Sequence, residues 1–412
     1  MNKLKTKHTK ASMLLLGFQH VLAMFGATVL VPALTGLNPS IALFCAGVGT
    51  LIFHSVTKFK VPSFLGSSFA FIGAISLVLQ QSGIAEVKGG IMAAGFVYVL
   101  ISIIVKFWGV ENINRLFPPI VVGPTIVVIG LRLAPVAVNS ALYVDGVFNI
   151  TSLIISLSVV LTMIVCSVID RSFFRLVPIL TAVVVGYLVA GGLGVFDASP
   201  IAAAPWLVFS DPKVINTVFT APSFSWTSVL VIAPIALVVF MEHIGDIKGN
   251  GEVVGKDFVK DPGLHRTILG DGLATMFAGL VGGPANTTYG ENTGVLAVTK
   301  NYNPFILRIA AVMAIFLSFF GKFGAAISNI PHPVMGGVSV ILFGMISSIG
   351  VRTMINAQLD FGHSRNLIIA SVILVTGIGI GSIPMGGAVE MSGLTIAAFL
   401  GVLLNVVLPK DI

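Results

Sequence analysis

Three carboxylates sit where an apolar chain should carry none. Glu242 and Asp246 lie in "VLVIAPIALVVFMEHIGDI", and Glu291 lies in "TTYGENTG", shortly after the small-residue run "AGLVGGPAN". A charge at mid-membrane costs roughly 2.5–3.5 kcal/mol even on insertion scales. A carboxylate there has two uses: it accepts hydrogen bonds from ligand N–H groups, and it holds or releases a proton. Glu242 and Asp246 are four residues apart, so a helix puts both on one face. At that spacing two carboxyl groups can share a proton and titrate together. The competing reading makes Glu242 and Asp246 the start of a cytoplasmic loop, since Lys248 and Glu252 follow, and Glu291 a loop residue between two shorter helices. One shared polar site explains all three at once.

Backbone supplies the other half of such a site. A helix that begins inside the membrane leaves its first N–H groups without intrahelical partners, and these can point into a cavity. The segments around Phe69, in "VPSFLGSSFAFIGAI", and around Gly290 are each able to open a half-helix. Main-chain donors beside acceptor carboxylates suit a small planar frame carrying both C=O and N–H, such as a pyrimidine-dione. His243 adjoins Glu242 but points about 100° away on a helix, which favours a structural or gating contact. Gln19 and His20 in the first apolar segment are expected to bond between helices. His265, Arg266 and Asp271 in "DPGLHRTILGDG" read as a cytoplasmic loop and helix start. Cys45 and Cys166 lie inside apolar segments and indicate neither a disulfide framework nor a metal site. HExxH, GxSxG and P-loop motifs are absent from the sequence, so hydrolase and ATP-driven pump readings lack support. No cofactor and no metal is expected.

The elements that must carry these residues are membrane helices. Of 412 residues only 9% are charged, against about 25% in soluble domains, and the mean hydropathy is +1.03. Segments long enough to cross a bilayer, about 20 residues each, recur throughout, as in "MLLLGFQHVLAMFGATVLVPAL", "TSLIISLSVVLTMIVCSVI" and "NLIIASVILVTGIGIGSI". A membrane β-barrel would alternate instead. The first segment follows a basic start, but no small-residue cleavage site follows and Gln19 and His20 interrupt it, so it reads as an uncleaved span. The formal charge of +7 suggests nucleic acid only until its distribution is seen. With about fourteen spans and a cytoplasmic N-terminus, Lys3, Lys5, Lys7, Lys10, Lys58, Lys60, Arg115, Arg171, Arg175, Lys248, Lys256, Lys260, Arg266, Lys300, Arg308, Arg352, Arg365 and Lys410 all fall inside. Lys88, Arg132, Lys213 and Lys322 are the few outside. The charge reports orientation in a membrane.

A polar break at 197–226 divides the chain, and the halves echo each other. "PPIVVGPTIVVIG" has Pro119, Gly123 and Gly130; "PVMGGVSVILFG" repeats those spacings at Pro333, Gly337 and Gly344. The segments 61–75 and 282–298 also correspond, each with a Pro, a hydroxyl pair, an aromatic and an apolar run. Paired, Gly- or Pro-interrupted apolar segments in two halves point to a transporter binding site. An odd number of spans in each half makes the repeats inverted.

Together "FQHVLAMFGATVLVP", "PSFLGSSFAF", "MEHIGD", "DPGLHR", "NTTYGENTGVLAVT" and "PVMGGVS" resemble the bacterial uracil permeases of the nucleobase–ascorbate transporter (nucleobase:cation symporter-2) family, over essentially the whole chain. The resemblance implies an all-α polytopic membrane protein of fourteen spans in two inverted seven-span repeats, 1–210 and 211–412. Spans 1–4 and 8–11 would form a core domain, spans 5–7 and 12–14 a gate domain, with two short discontinuous spans. It implies proton-coupled uracil uptake across the bacterial cytoplasmic membrane, with possible homodimers. Carried over by position, Glu242 and Glu291 would bind the pyrimidine N–H groups. The main-chain amides of Phe69 and Gly290 would meet its carbonyls, while Tyr289 and Phe343 line the pocket. Glu242, Asp246 and Glu291 would handle the proton. Two positions depart from the family pattern: Asp246 stands where His is usual, and Phe343 where Tyr is usual. Purine-transporting relatives show a Gln-Asn pattern at "YGEN", which favours a pyrimidine over a purine or xanthine. An anion transporter of the same architecture is the other rival, and two carboxylates argue against it. A channel or an intramembrane enzyme finds no motif.

Overall fold

Proline and asparagine punctuate the chain and set where its helices begin. The computed structural model describes residues 10–169, 174, 177–386 and 389–409. Lys3, Lys5, Lys7, Arg171, Arg175 and Lys410, and their part of the charge pattern, lie outside the described residues. The first half runs α1 (Lys10–Thr35), α2 (Pro39–Val56), β1 (Leu65–Ser67), a 3-10 turn (Phe69–Phe71) leading into α3 (Ile72–Ser82), and α4 (Ile84–Trp108). It continues with α5 (Pro119–Leu142), the hairpin β2 (Tyr143–Val144) and β3 (Val147–Phe148), α6 (Ile150–Val168) and α7 (Pro178–Gly192). The second half holds α8 (Ile235–Val254), entered through a short helix at Trp226–Ile232, then α9 (Leu264–Val281), β4 (Asn286–Thr288) and α10 (Gly290–Thr299). After these come α11 (Pro304–Ser318), α12 (His332–Asn356), α13 (Ser364–Gly379), the hairpin β5 (Ser382–Gly386) and β6 (Val389–Ser392), and α14 (Gly393–Val407). Proline stands in the first turn of α2, α5, α7, α11 and α12, where its missing N–H costs nothing. Asn38 caps α2 by accepting from the Ser40 and Ile41 N–H groups at 2.9 and 3.2 Å, and Asn149 caps α6 in the same way.

Among the described residues seven helical segments are long and apolar enough to cross a membrane, and five shorter apolar helices accompany them. Large apolar side chains such as Phe107, Leu188, Val375 and Phe399 are exposed on their outer faces, as lipid contact requires and water would not tolerate. The protein is a multi-pass helical membrane protein, with three small two-stranded pairs among the described residues.

Packing repeats between the halves. Helix α4 lies against α9, and α11 lies against α2; α6 pairs with α7, and α13 with α14; α12 packs on α6, and α5 on α13. Exchanging the first half for the second turns each contact into its counterpart. The most extensive contact joins α5 to α12, and glycines let these two backbones meet. A methyl group on Gly350 would stand 2.6 Å from the Gly123 carbonyl oxygen, and one on Gly130 would strike the Phe343 carbonyl and Ser347. Small residues serve membrane helix contacts in this way. Ser347 adds a hydrogen bond from its hydroxyl to the Val127 carbonyl at 3.1 Å. The Pro119 and Pro333 segments therefore do start matching helices. Their glycines differ in use, since open space surrounds Gly344.

The two interrupted segments meet directly. Strands β1 and β4 pair antiparallel, with Leu65 opposite Thr288, Gly66 opposite Thr287 and Ser67 opposite Asn286. The ladder extends at both ends, from the Ser68 N–H to the Ala285 carbonyl and from the Tyr289 N–H to the Phe64 carbonyl, each at 2.9 Å. One threonine in each half pins its strand. Thr50 of α2 accepts from the Leu65 N–H at 2.9 Å, and Thr275 of α9 accepts from the Asn286 N–H at 3.2 Å.

Candidate functional site

Each strand of this ladder runs straight into a helix start. Ser68 precedes the Phe69–Phe71 turn and Tyr289 precedes α10, and neither start has a side-chain cap. The Ser68 hydroxyl is buried without a hydrogen-bond partner. Uncapped first-turn N–H groups carry the positive end of the helix dipole, and here two such starts sit beside one ladder. Phe69 and Gly290 thus occupy the first helical positions, as their sequence context suggests.

Helix α8 faces these starts. It packs against α10, β4 and the Phe69–Phe71 turn. Glu242, Asp246 and Glu291 are each half-buried, and Gly290 is exposed, so water reaches all four. A methyl group on Gly290 would stand 4.0 Å from Asp246 Oδ1. The three carboxylates are close enough to repel one another. Asp246 accepts a hydrogen bond from the Thr288 hydroxyl at 3.2 Å. It belongs to this cluster, and the cytoplasmic-loop reading of Glu242 and Asp246 does not hold.

The aromatic residues divide into two roles. Phe69 and Phe343 meet edge to face, with ring centroids 5.9 Å apart, so α12 touches the site through Phe343. Tyr289 is buried, and its hydroxyl donates to the Ser67 carbonyl at 2.9 Å. Gly66 gives the Tyr289 ring its place, because a Cβ there would overlap the ring. Tyr289 ties the two strands together rather than presenting a free hydroxyl.

Residues beyond the expected set complete the surroundings. Asp271 is not a loop or helix-start residue: it lies within α9 and is 1% exposed. Its Oδ2 stands 2.8 Å from Nδ1 of His243, which is fully buried. Nε2 of His243 lies 2.9 Å from the Thr267 hydroxyl. His265 and Arg266 do begin α9. His20 of α1 meets Asn292 of α10, whose amide donates to the His20 carbonyl at 3.0 Å, the interhelical bond its position suggested. Asn250 of α8 donates to the Pro62 carbonyl at 2.9 Å and to Thr293 at 3.1 Å, linking the approaches to both strands. Asp271 carried one usable signal, an acidic residue followed at once by the apolar run "GLATMFAGLV".

Two uncapped helix starts on one strand ladder, facing carboxylates inside an apolar helical bundle, define a membrane transporter. The fold agrees. The transmembrane domain of a cyanobacterium bicarbonate transporter, BicA, superposes with a TM-score of 0.64 at 14% identity, covering 94% of this chain and 96% of that one. The murine Solute Carrier 26 anion transporter Slc26a9, in its inward-facing state, gives 0.69 at 11% identity over 98% of this chain and 68% of that one. Sequence similarity is far higher elsewhere. The uracil permease of Bacillus caldolyticus is 46% identical over 99% of this chain and 96% of its own length. That of Escherichia coli K12 is 41% identical over 95% and 90%. A family model described as "Permease family" matches residues 11–386, and the chain belongs to this permease family, as its motifs indicated. These relatives are permeases, transporters rather than enzymes.

Proposed function

We propose that the protein imports uracil, or a closely related pyrimidine, by proton symport across the bacterial cytoplasmic membrane. The observation that carries this reading is the juxtaposition of Glu242 and Glu291 with the uncapped starts at Phe69 and Gly290. A neutral pyrimidine-dione offers N–H groups to carboxylates and C=O groups to main-chain N–H donors, so each side of the site finds its complement. The uracil permease relatives support the same substrate. The substrate contacts are then Phe69, Glu242, Gly290, Glu291 and the Phe343 ring, with Tyr289 holding the strands. Glu242, Asp246 and Glu291 handle the proton.

Fourteen spans follow if α9 and α10 join the seven long and five shorter apolar helices. The exchange symmetry of the contacts supports two inverted repeats, 1–210 and 211–412. The core domain would hold α1–α4 and α8–α11, the gate domain α5–α7 and α12–α14, with the N-terminus cytoplasmic. Alternating access would then move the gate past the site at the Phe69–Phe343 contact.

The fold likeness to anion transporters favours a second reading, in which two helix N-termini hold an anion. Three repelling carboxylates oppose it. Uptake into proteoliposomes decides. Radiolabelled uracil should accumulate with an inward proton gradient and collapse when it is dissipated, while sulfate and bicarbonate should not compete. Xanthine competition tests the purine alternative, and accumulation driven only by sodium would refute the proton assignment.

A further inference from the structure

One strong cation in an apolar helix finds no anion in the protein. Arg308 lies one turn into α11 and is half-buried. Its guanidinium stands over the Phe59 ring at 4.7 Å and over the Phe305 ring at 5.1 Å. The two rings hold the cation but supply no counter-charge. Arg308 Nε is buried without a hydrogen-bond partner. Among the described residues no carboxylate comes within ion-pair distance of Arg308. A charge on a membrane helix is costly and is as a rule paired. The anion that pairs with Arg308 has to come from outside the chain.

The surroundings of Arg308 suit a lipid. Phe305, Arg308, Val312 and Phe316 follow helical spacing along one side of α11, and Phe305, Val312 and Phe316 are exposed. From Arg308 to Phe316 the helix rises about 12 Å, long enough to support much of an acyl chain. Helix α2 runs alongside in the opposite sense. A methyl group on its Gly47 would meet the Ala311 carbonyl and Ile315 of α11, while Phe59, just beyond its end, covers Arg308. Other cations gather at that end. Lys58 is exposed and has no ion pair among the described residues. Arg266 donates to the Val56 carbonyl at 3.2 Å. Lys60 is already paired with Asp261 at 2.6 Å.

We propose that Arg308, clasped by Phe59 and Phe305, binds the phosphate of an anionic phospholipid whose acyl chain lies along Val312 and Phe316. A guanidinium fork meets two phosphate oxygens at once. A headgroup of net negative charge suits the neighbouring Lys58, whereas the ammonium of a zwitterionic lipid is repelled there. An arginine that merely snorkels also reaches the headgroups, but it needs no aromatic clasp and selects no particular lipid. The site lies on elements that hold the ladder. Helix α11 packs on α2, and α2 pins β1 through Thr50. A lipid bound at Arg308 fastens the ends of both helices together. The inference needs the chain to lie in a bilayer and depends on neither the substrate nor the proton.

Native mass spectrometry of the full chain in detergent tests it, with palmitoyl-oleoyl phosphatidylglycerol and the matching phosphatidylcholine as titrants. Wild type should hold phosphatidylglycerol about tenfold more tightly than phosphatidylcholine. Arg308→Gln should lose that preference. Lys256→Gln, which removes an exposed cation elsewhere, should keep it. Phosphatidylglycerol should also raise the melting temperature of wild type, because a ligand of the folded state stabilises it, and leave that of Arg308→Gln unmoved. Phe59→Leu keeps the bulk and removes the aromatic face, and it should weaken phosphatidylglycerol binding about threefold or more. Equal retention of the two lipids by wild type overturns the proposal, as does unchanged preference in Arg308→Gln. A loss in Lys256→Gln as large as in Arg308→Gln overturns it too, by showing diffuse attraction in place of a site. If Arg308→Gln does not fold, Phe59→Leu decides, and wild-type retention by that variant refutes the clasp.

Discussion

Glu291→Gln tests the substrate site most directly. Glu291 stands at the second position of α10, half-buried. Buried neighbours, Tyr289 at 3% and Asn292 at 0% exposure, make the site dry once a ligand fills it. A hydrogen bond from a ligand N–H to a charged acceptor contributes about 1.5–3 kcal/mol. Gln still offers a carbonyl oxygen but without the charge, and its amide hydrogens meet ligand N–H groups if it turns. A loss of about 2 kcal/mol, at 1.4 kcal/mol per tenfold, weakens binding about 30-fold. The scaffold should not suffer. The Asn292–His20 contact stays in place, and one of three crowded carboxyl groups is replaced by an uncharged amide. Equilibrium uracil binding to purified protein gives the affinity, and a thermal melt gives the fold. The expected result is a Kd raised about 30-fold with a melting temperature equal to or above wild type. Binding within about threefold of wild type in a folded protein would refute the assignment of Glu291 to the ligand, and a lowered melting temperature would refute the repulsion argument.

Asp246→Asn should change the pH profile of uptake in proteoliposomes while affecting uracil affinity less than Glu291→Gln does; an unchanged profile removes Asp246 from the proton path. Gly66→Ala places a methyl group where the Tyr289 ring lies. Overpacking of this kind costs about 1–3 kcal/mol, so the melting temperature should fall and uptake should be lost as both helix starts shift. Lys88 is buried and donates to the Thr217, Val218 and Thr220 carbonyls at 2.9, 3.1 and 2.5 Å, closing the end of the Pro212–Phe219 helix. Lys88→Met leaves these acceptors unpaired, at about 1–3 kcal/mol for each that water does not reach, and limited proteolysis should then cut within 212–224, which stays intact in wild type.

What the sequence shows and what it conceals have physical causes. Glu242 and Glu291 stand out because charge in apolar sequence is expensive, and the segments 61–75 and 282–298 because Gly, Pro and hydroxyl residues interrupt hydrophobic runs. Their pairing as β1 and β4 is not legible, since three-residue strands leave no periodicity and partners more than 200 positions apart share no local signal. Asp271 was hidden by company: "DPGLHR" before it is polar, so the acid reads as part of that polarity until α9 is seen to begin at Leu264. Lys88 looked like an outer-side exception to the charge rule, and its work as a clamp on the connection around Thr217–Thr220 depends on carbonyls 129–132 residues away. The span count is obscured for a similar reason, because helices such as α10 are short and polar at the end that faces the site.

The β1–β4 ladder also constrains how the protein is made. Leu65, Gly66 and Ser67 emerge from the ribosome long before Asn286, Thr287 and Thr288, so the first half must wait in the bilayer with an open strand edge. Lipid cannot satisfy those N–H and C=O groups. Until α10 is threaded, the growing chain needs water, an insertase groove or a holding partner at that edge. The candidate site is thus incomplete until β4 and α10 have been made. A chain truncated before β4 would present an unfinished edge for quality-control proteases to recognise, and never a half-formed pore.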